Sequence, residues 1–173
     1  MSAVAAAMAD TPVVAVNGPR QSGKRTLVAT LDLSGTVERV SLDDEQVRRF
    51  ASLDPRGFVE RQTDTLVIDQ VQLEPRLFRA IKAAVDRDRR PRRFLITGSA
   101  RLLSTPDMAD SLVGRVETIE LWPLSQGEIQ GSVDQFVDLV FDPRADLLRS
   151  GHLGRADYID AALRGGFPEA VLR

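Results

Sequence analysis

The sequence has 173 residues, of which 43% are hydrophobic and 28% are charged, and its net charge is −2. This composition is typical of one soluble domain with a substantial core, and the near-neutral charge favours neither nucleic acid nor an anionic membrane as a partner. The chain has no cysteine and a single histidine, His152, which excludes disulfides, thiolate zinc sites and Cys-His catalytic pairs. We expect a cytoplasmic protein, because residues 1–10 lack the features of a secretion signal and no stretch is long and apolar enough to span a membrane.

Residues 1–10 predict a short helix or a tail, to which we assign no function. They precede an apolar, β-branched run, a loop framed by Gly18 and Gly23, and a helix-forming segment, which is the strand-loop-helix context of a phosphate-binding P-loop. The glycines let the backbone N–H groups and the start of the helix face an anion, and Lys24 adds a cation for the outer phosphates. The candidate nucleotide-binding residues are Gly18, Pro19, Arg20, Gln21, Ser22, Gly23, Lys24, Arg25 and Thr26.

The loop departs from the GxxxxGK[ST] pattern at one position, since Arg25 stands where a hydroxyl should hold Mg²⁺. Thr26 cannot replace that hydroxyl, because the next helical residue is rotated by about 100° around the axis. Arg25 would place a fixed cation close to the metal position. A guanidinium can bind phosphate oxygens bidentately, which favours nucleotide binding without Mg²⁺, and it also repels the ion. The sequence does not rank these two effects.

Two further strands are predicted at residues 37–42 and 65–69, and the second ends in Asp69 at the sheet edge where ligands bind in open α/β folds. Asp43 and Asp44 follow the first of these strands. Either they lie near the same edge or one of them caps a helix over residues 45–51. Residues 54–57 predict a turn.

Pro75 opens a predicted helix with one apolar, core-facing stripe, formed by Leu77, Phe78, Ile81, Ala84 and Val85. The arginine-rich segment 87–93 is interpreted as a solvated connector rather than a nucleic-acid patch, because it contains an acid and lacks interleaved aromatics. Residues 94–99 predict another buried strand. Its hydroxyl residues, Thr97 and Ser99, either contact the γ-phosphate or the attacking water, or cap the next helix.

The rest of the chain predicts a helix at residues 101–113, a strand at 116–121 and then short helices separated by glycine-containing breaks. We expect residues 11–125 to form the core domain. Residues 126–173 are expected to form a helical extension that resembles a lid on one edge of the sheet.

Seven motifs recur in order along nearly the whole chain, at residues 18–24, 41–44, 68–72, 95–100, 111–115, 121–125 and 165–169. In these motifs the chain resembles the AAA-like P-loop ATPases of bacteria and archaea that carry a DUF4143 region at their C-terminus. The series is more specific than a P-loop match alone. The resemblance implies an α/β, three-layer P-loop NTPase fold, with a mainly parallel five-stranded sheet in the order 5-1-4-3-2 and a small helical C-terminal extension. It also implies that this chain carries the ATPase part alone.

The resemblance further implies roles for individual residues. Lys24 and the loop backbone would bind the phosphates of ATP, and Asp69 would support Mg²⁺ through water. Thr97 or Ser99 would sense the γ-phosphate. Arg115 would be an arginine finger supplied to a neighbouring subunit of a homo-oligomer, or else a helix C-terminal cation.

A second departure from the family pattern concerns the catalytic base, because the expected Glu after Asp69 is Gln70. A glutamine can position water but cannot accept its proton, and the loss of a general base reduces the rate by a factor of ~10²–10⁴. We therefore expect an ATP-binding domain with impaired hydrolysis and a doubtful Mg²⁺ site. The alternatives are a nucleotide-free interaction module, in which Arg25 fills the phosphate pocket, and an active ATPase.

Overall fold

The computed structural model describes residues 3–99, 110–132, 140–142 and 154–172. The chain forms two compact units, Met1–Leu121 and Trp122–Arg173. The described elements of the first unit are α1 (Ala3–Asp10), β1 (Val13–Asn17), α2 (Lys24–Thr30), β2 (Val37–Ser41), α3 (Glu45–Leu53), α4 (Pro55–Val59), β3 (Thr65–Asp69), a 3-10 turn (Val71–Leu73), α5 (Arg76–Arg87), β4 (Phe94–Thr97) and β5 (Val116–Glu120). Those of the second unit are α6 (Gln126–Ile129), α7 (Arg155–Arg164) and α8 (Pro168–Leu172).

The first unit is built on a sheet of five strands in the order β2-β3-β4-β1-β5, and every pairing is parallel. Apolar clusters lie on both faces of the sheet. One includes Phe78 and Ile81 of α5, and the other includes Val4 of α1 and Val28 of α2. Helices therefore cover both faces, and the predicted three-layer α/β fold with its strand order is confirmed.

The strand sequences explain their positions in the sheet. β1 is buried along its whole length and β4 likewise, as expected for central parallel strands that are covered on both faces. β2 and β5 lie at the sheet edges and are only partly buried. The apolar stripe predicted for α5 is confirmed, because all five of its residues are buried in the core.

Two segments refine the prediction from sequence. The turn predicted at residues 54–57 is wrong, since Pro55 begins the short helix α4. Asp54 caps that helix by accepting a hydrogen bond from the Gly57 N–H at 2.9 Å. The segment 1–10 contains the helix α1, which buries Val4 and Met8. The helix predicted at residues 101–113 falls mostly outside the described residues.

The second unit contains two motif segments that contact each other. The Leu124 N–H donates to the Gly166 carbonyl at 2.7 Å, and a Cβ at position 166 would lie 2.2 Å from the Leu124 carbonyl oxygen. Only glycine allows this approach. Ser125 then begins α6 with a capping box, exchanging hydrogen bonds with Glu128 at 3.1 and 2.8 Å. Within the described residues of the whole chain, no helix has the length and apolar character needed to cross a membrane.

Candidate nucleotide-binding site

The loop between β1 and α2 follows the carboxyl end of a central strand. Gly18 is the first residue after β1, and the adjacent Leu121 N–H donates to the Asn17 carbonyl at 2.7 Å. A Cβ at position 18 would lie 2.2 Å from the Leu121 carbonyl oxygen, so no larger residue fits there without a backbone shift. Gly23 precedes α2 with a φ of 94°, a left-handed conformation that favours glycine. The two framing glycines of the motif are thus required by geometry.

Lys24 is folded into the loop. Its ammonium donates hydrogen bonds to the Gly18 carbonyl at 2.9 Å and to the Pro19 carbonyl at 2.6 Å. Burial lowers the pKa of Lys24, and the negative charge of Asp69 partly opposes this shift. The ammonium is therefore held among the loop carbonyls, next to the N–H groups of the first turn of α2, which have no acceptor within the helix.

Ser22 supplies a further polar group in the same loop. Its hydroxyl oxygen is buried and has no hydrogen-bond partner among the described residues. Buried polar groups are nearly always satisfied by protein, water or ligand. Together with the Lys24 ammonium, this unsatisfied hydroxyl fits a loop that binds the phosphates of a nucleotide.

Arg25 lies beside this loop and contacts three residues at or just after the carboxyl ends of β2 and β3. Its Nη2 lies 2.7 Å from Asp69 Oδ2 and 2.7 Å from Asp43 Oδ2, and its Nε lies 3.0 Å from Asp69 Oδ2. The Ser41 hydroxyl lies 3.4 Å from the same Nη2 and donates to Asp69 Oδ2 at 3.3 Å. Parallel pairing of β2 with β3 places Ser41 directly beside Asp69. The guanidinium thus bridges two carboxylates, a contact that was not predicted from the sequence.

Both oxygens of the Asp69 carboxylate accept hydrogen bonds from these neighbours. Oδ1 accepts from the Thr97 hydroxyl, and Oδ2 accepts from Arg25 twice and from Ser41 once. Each carboxylate oxygen has two lone pairs, so the three donors saturate Oδ2, whereas Oδ1 accepts from Thr97 and keeps one lone pair. Burial raises the pKa of Asp69, but the hydrogen bonds from Thr97 and Arg25 outweigh it and lower the pKa overall. Asp69 is therefore held ionised and paired.

This arrangement does not fit Mg²⁺. The side chain after Lys24 is a cation instead of a hydroxyl, and the carboxylate expected to support the ion already holds that cation. Ion pairing with Asp69 and Asp43 raises the pKa of Arg25 above its already high value, so the guanidinium keeps its charge. Among the described residues there is no group of three or more His, Cys, Asp or Glu that could hold a metal.

The structure brings Thr97 and Gln70 to the same edge. Thr97 ends β4, contacts Asp69 and accepts a hydrogen bond from the Gln70 N–H at 3.3 Å. Gln70 has a φ of 62°, and its side-chain oxygen accepts from Gln72 Nε2 at 2.6 Å. Ser99, partly buried, follows β4 by two residues. Their catalytic roles stay predictions.

The two acidic residues after β2 have separate functions. Asp44 caps α3, accepting from the N–H groups of Gln46 at 2.8 Å and Val47 at 3.3 Å, whereas Asp43 binds Arg25. Both alternatives left open by the sequence therefore occur. Ser41 was not predicted as part of the site, although its position at the end of a strand parallel to β3 is the signal that would have identified it.

Arg115 lies at the amino ends of the parallel strands, whereas the loop lies at their carboxyl ends. It precedes Val116, which pairs with Val13 at the start of β1, whereas the loop follows the end of β1. Its guanidinium binds Asp86 Oδ1 at 2.7 Å and the Val113 carbonyl at 3.2 Å. Within one subunit it cannot reach the loop, because five strand residues span about 17 Å.

We expect Arg115→Ala to leave the nucleotide affinity of the isolated chain unchanged and to lower its melting temperature slightly, since the partly exposed Asp86 pair is lost. Calorimetric titration with ATP and thermal melting measure the two effects, with Asp86→Ala as the matched control. If Arg115 is instead an arginine finger, Arg115→Ala but not Asp86→Ala weakens a nucleotide-dependent oligomer. A loss of affinity in the monomer would contradict the placement of Arg115 away from the loop.

A parallel sheet with a glycine-framed loop after β1 and a carboxylate at the end of β3 defines the P-loop NTPase class of domain. Residues 10–130 match the model of the AAA domain family. The match covers more than half of the chain, and the protein belongs to this family.

Similar proteins include the uncharacterized proteins Mb2031c of Mycobacterium bovis and Rv2008c of Mycobacterium tuberculosis, each 36% identical over 126 residues. The match covers 70% of this chain and 27% of each relative, so the chain spans about a quarter of their length. The solved structure of a DNA polymerase III gamma subunit-related protein from Thermotoga maritima is similar over 70% of this chain and 44% of its own, with 11% identity and a TM-score of 0.41. A similarity at that score carries no argument about this chain.

Proposed function

We propose that this chain is the nucleotide-binding domain of a AAA-type protein, and that it binds ATP but hydrolyses it slowly or not at all. The observation that carries the proposal is the loop at residues 18–24, in which the Lys24 ammonium lies against the Gly18 and Pro19 carbonyls. A phosphate can exchange with these carbonyls as the partner of the ammonium. The buried hydroxyl of Ser22 offers one more polar group in the same loop.

Impaired hydrolysis is supported by the two substituted positions. Gln70 cannot take a proton from water, which removes a factor of ~10²–10⁴ in rate. Arg25 holds Asp69 in an ion pair at 2.7 Å, so the carboxylate that assists hydrolysis in related domains is already paired. Gln70 is further occupied by its hydrogen bond from Gln72.

A nucleotide-free interaction module is the second candidate. Its specific requirement is that the Arg25 side chain fills the phosphate pocket. The described contacts of Arg25 are to Asp69, Asp43 and Ser41, and none is to the loop at residues 18–23. These contacts favour nucleotide binding over the nucleotide-free alternative.

Three finer points belong to the same proposal. The motif series supports membership of the subgroup of AAA-like ATPases that carry a DUF4143 region, and the greater length of the relatives is consistent with it. We place the domain in the cytoplasm, where ATP is available. We also propose that it works as a homo-oligomer in which Arg115 approaches a neighbouring site.

We expect ATP or ADP to raise the melting temperature of the wild-type chain. At about 100-fold excess of free nucleotide over Kd, the stabilisation should be about 2.7 kcal/mol. Lys24→Ala should remove the shift, whereas Lys82→Ala should retain it, because Lys82 lies on α5 and is the only other lysine of the sequence. Differential scanning fluorimetry measures both variants. No shift at millimolar nucleotide, with and without Mg²⁺, would contradict the proposal.

A further inference from the structure

In this protein, Asp43 and Asp69 lie around the position usually taken by Mg²⁺, and both already bind the Arg25 guanidinium. In P-loop domains the ion is held by the hydroxyl after the lysine and, through an acidic strand-end residue, by the sheet. The side chain of Arg25 starts at that hydroxyl position and ends between Asp43 and Asp69, at 2.7 Å from each. Its charge therefore lies where the structure of the fold would otherwise place a metal.

Arg25 also keeps capacity for a ligand. Arginine has five N–H donors, and the hydrogen bonds to Asp69, Asp43 and Ser41 use those on Nε and Nη2. Within the described residues, Nη1 donates to no acceptor, and the side chain is 68% exposed. Two N–H groups are thus open to solvent on a guanidinium that begins one residue after Lys24. Guanidinium groups bind phosphate oxygens through paired, charge-assisted hydrogen bonds.

The two carboxylates make the guanidinium a fixed group. Asp69 is only 17% exposed and accepts two hydrogen bonds from Arg25, which restrains the side chain at its Nε and Nη2 end. Mg²⁺ entering the same space would lie beside this positive charge and would compete with Arg25 and Ser41 for Asp69 Oδ2. Repulsion by the guanidinium and competition for Asp69 Oδ2 both disfavour the metal-bound form of the nucleotide.

We propose that Arg25 takes the place of Mg²⁺ in this site, so that its ligand is a nucleoside di- or triphosphate free of metal. This inference rests on the proposed function, because it names the form of nucleotide that the loop at residues 18–24 accepts. The Arg25 guanidinium donates its Nη1 hydrogens to the outer phosphates, which Lys24 also binds, and Asp43 and Asp69 hold it in position.

The test is isothermal titration of the full chain with ATP and ADP, once in EDTA and once in millimolar Mg²⁺. We expect wild-type affinity in EDTA to equal or exceed that in Mg²⁺. Arg25→Thr should bind about 10-fold to 100-fold more weakly in EDTA, as expected for the loss of charged hydrogen bonds, and Mg²⁺ should restore part of that loss. The affinity of Arg25→Lys in EDTA should lie between those of the wild type and Arg25→Thr, because lysine keeps the positive charge but lacks the paired N–H donors of arginine.

Arg49→Thr is the matched control, since it removes the same charge from an exposed position of α3. It should bind like the wild type in both media. A wild-type chain that requires Mg²⁺, with binding at least tenfold tighter than in EDTA, would overturn this inference and leave the proposed function standing. Absence of binding in both media would overturn the proposed function itself. The wild-type comparison needs no variant, so it decides the matter even if Arg25→Thr fails to fold.

Discussion

The double variant Arg25→Thr, Gln70→Glu is expected to hydrolyse ATP in the presence of Mg²⁺ at least ~10²-fold faster than the wild type, which should stay near background. The first change removes the guanidinium from Asp69 and supplies the hydroxyl that related domains have at this position. The second supplies a general base next to that carboxylate. Gln70 has a φ of 62°, and glutamate carries the same backbone strain, so this substitution preserves the local geometry.

Neither single change should be sufficient. With Gln70→Glu alone, Arg25 still pairs with Asp69, and position 25 has no hydroxyl to bind the Mg²⁺ that hydrolysis needs. With Arg25→Thr alone, the missing base still limits the rate by a factor of ~10²–10⁴. Residues that act as a unit give such non-additive effects.

Steady-state phosphate release measures the rates, with Arg49→Thr, Gln70→Glu as the matched control. Sedimentation of the same samples records the oligomeric state, because an arginine from a neighbouring subunit is part of the proposed assembly. Robust Mg²⁺-dependent hydrolysis by the wild type would contradict the prediction. So would a double variant that binds ATP, assembles and remains inactive.

Gly18→Ala is expected to abolish the nucleotide-induced rise in melting temperature and to destabilise the chain. The new Cβ would lie 2.2 Å from the Leu121 carbonyl oxygen, so the loop or β5 must move. Overpacking of this kind costs about 1–3 kcal/mol, beyond the cost of the backbone angle itself. Displacement of the loop also breaks the hydrogen bond from the Lys24 ammonium to the Gly18 carbonyl.

The matched control is Gly131→Ala. Gly131 has a φ of 68°, against 156° for Gly18, and a Cβ there meets no atom within 4 Å, so this variant measures the cost of alanine at a positive φ without a clash. Urea unfolding of both variants, with and without ATP, compares the clashing position with the open one. Equal destabilisation of the two variants, with ATP binding retained in Gly18→Ala, would show that the contact with Leu121 is unimportant.

Local patterns in the sequence were sufficient to predict the strands of the sheet and the core face of α5. The order of the strands was predicted from the family resemblance. Continuous apolar runs mark buried parallel strands, and a 3.6-residue period marks one face of a helix, so both signals lie within short stretches of chain. The position of Asp69 followed from the same logic, since the carboxyl ends of parallel strands share one edge. The error at residues 54–57 arose because Asp and Pro favour a turn and a helix start equally well.

The sequence by itself determined the loop, its two glycines, Lys24 and the substitutions at positions 25 and 70. Only the tertiary structure decided where the Arg25 side chain lies, because its partners Asp43 and Asp69 stand 18 and 44 residues away and meet it through the pairing of β2 with β3. Gly18 is required by the Leu121 carbonyl, which arrives from beyond β5. Arg115 lies far from the loop because it precedes β5, which runs parallel to β1, whereas the loop follows β1. No sequence motif records the direction of a strand. Side-chain contacts between distant segments depend on strand register and chain direction, and neither is encoded in the spacing of residues within a single motif.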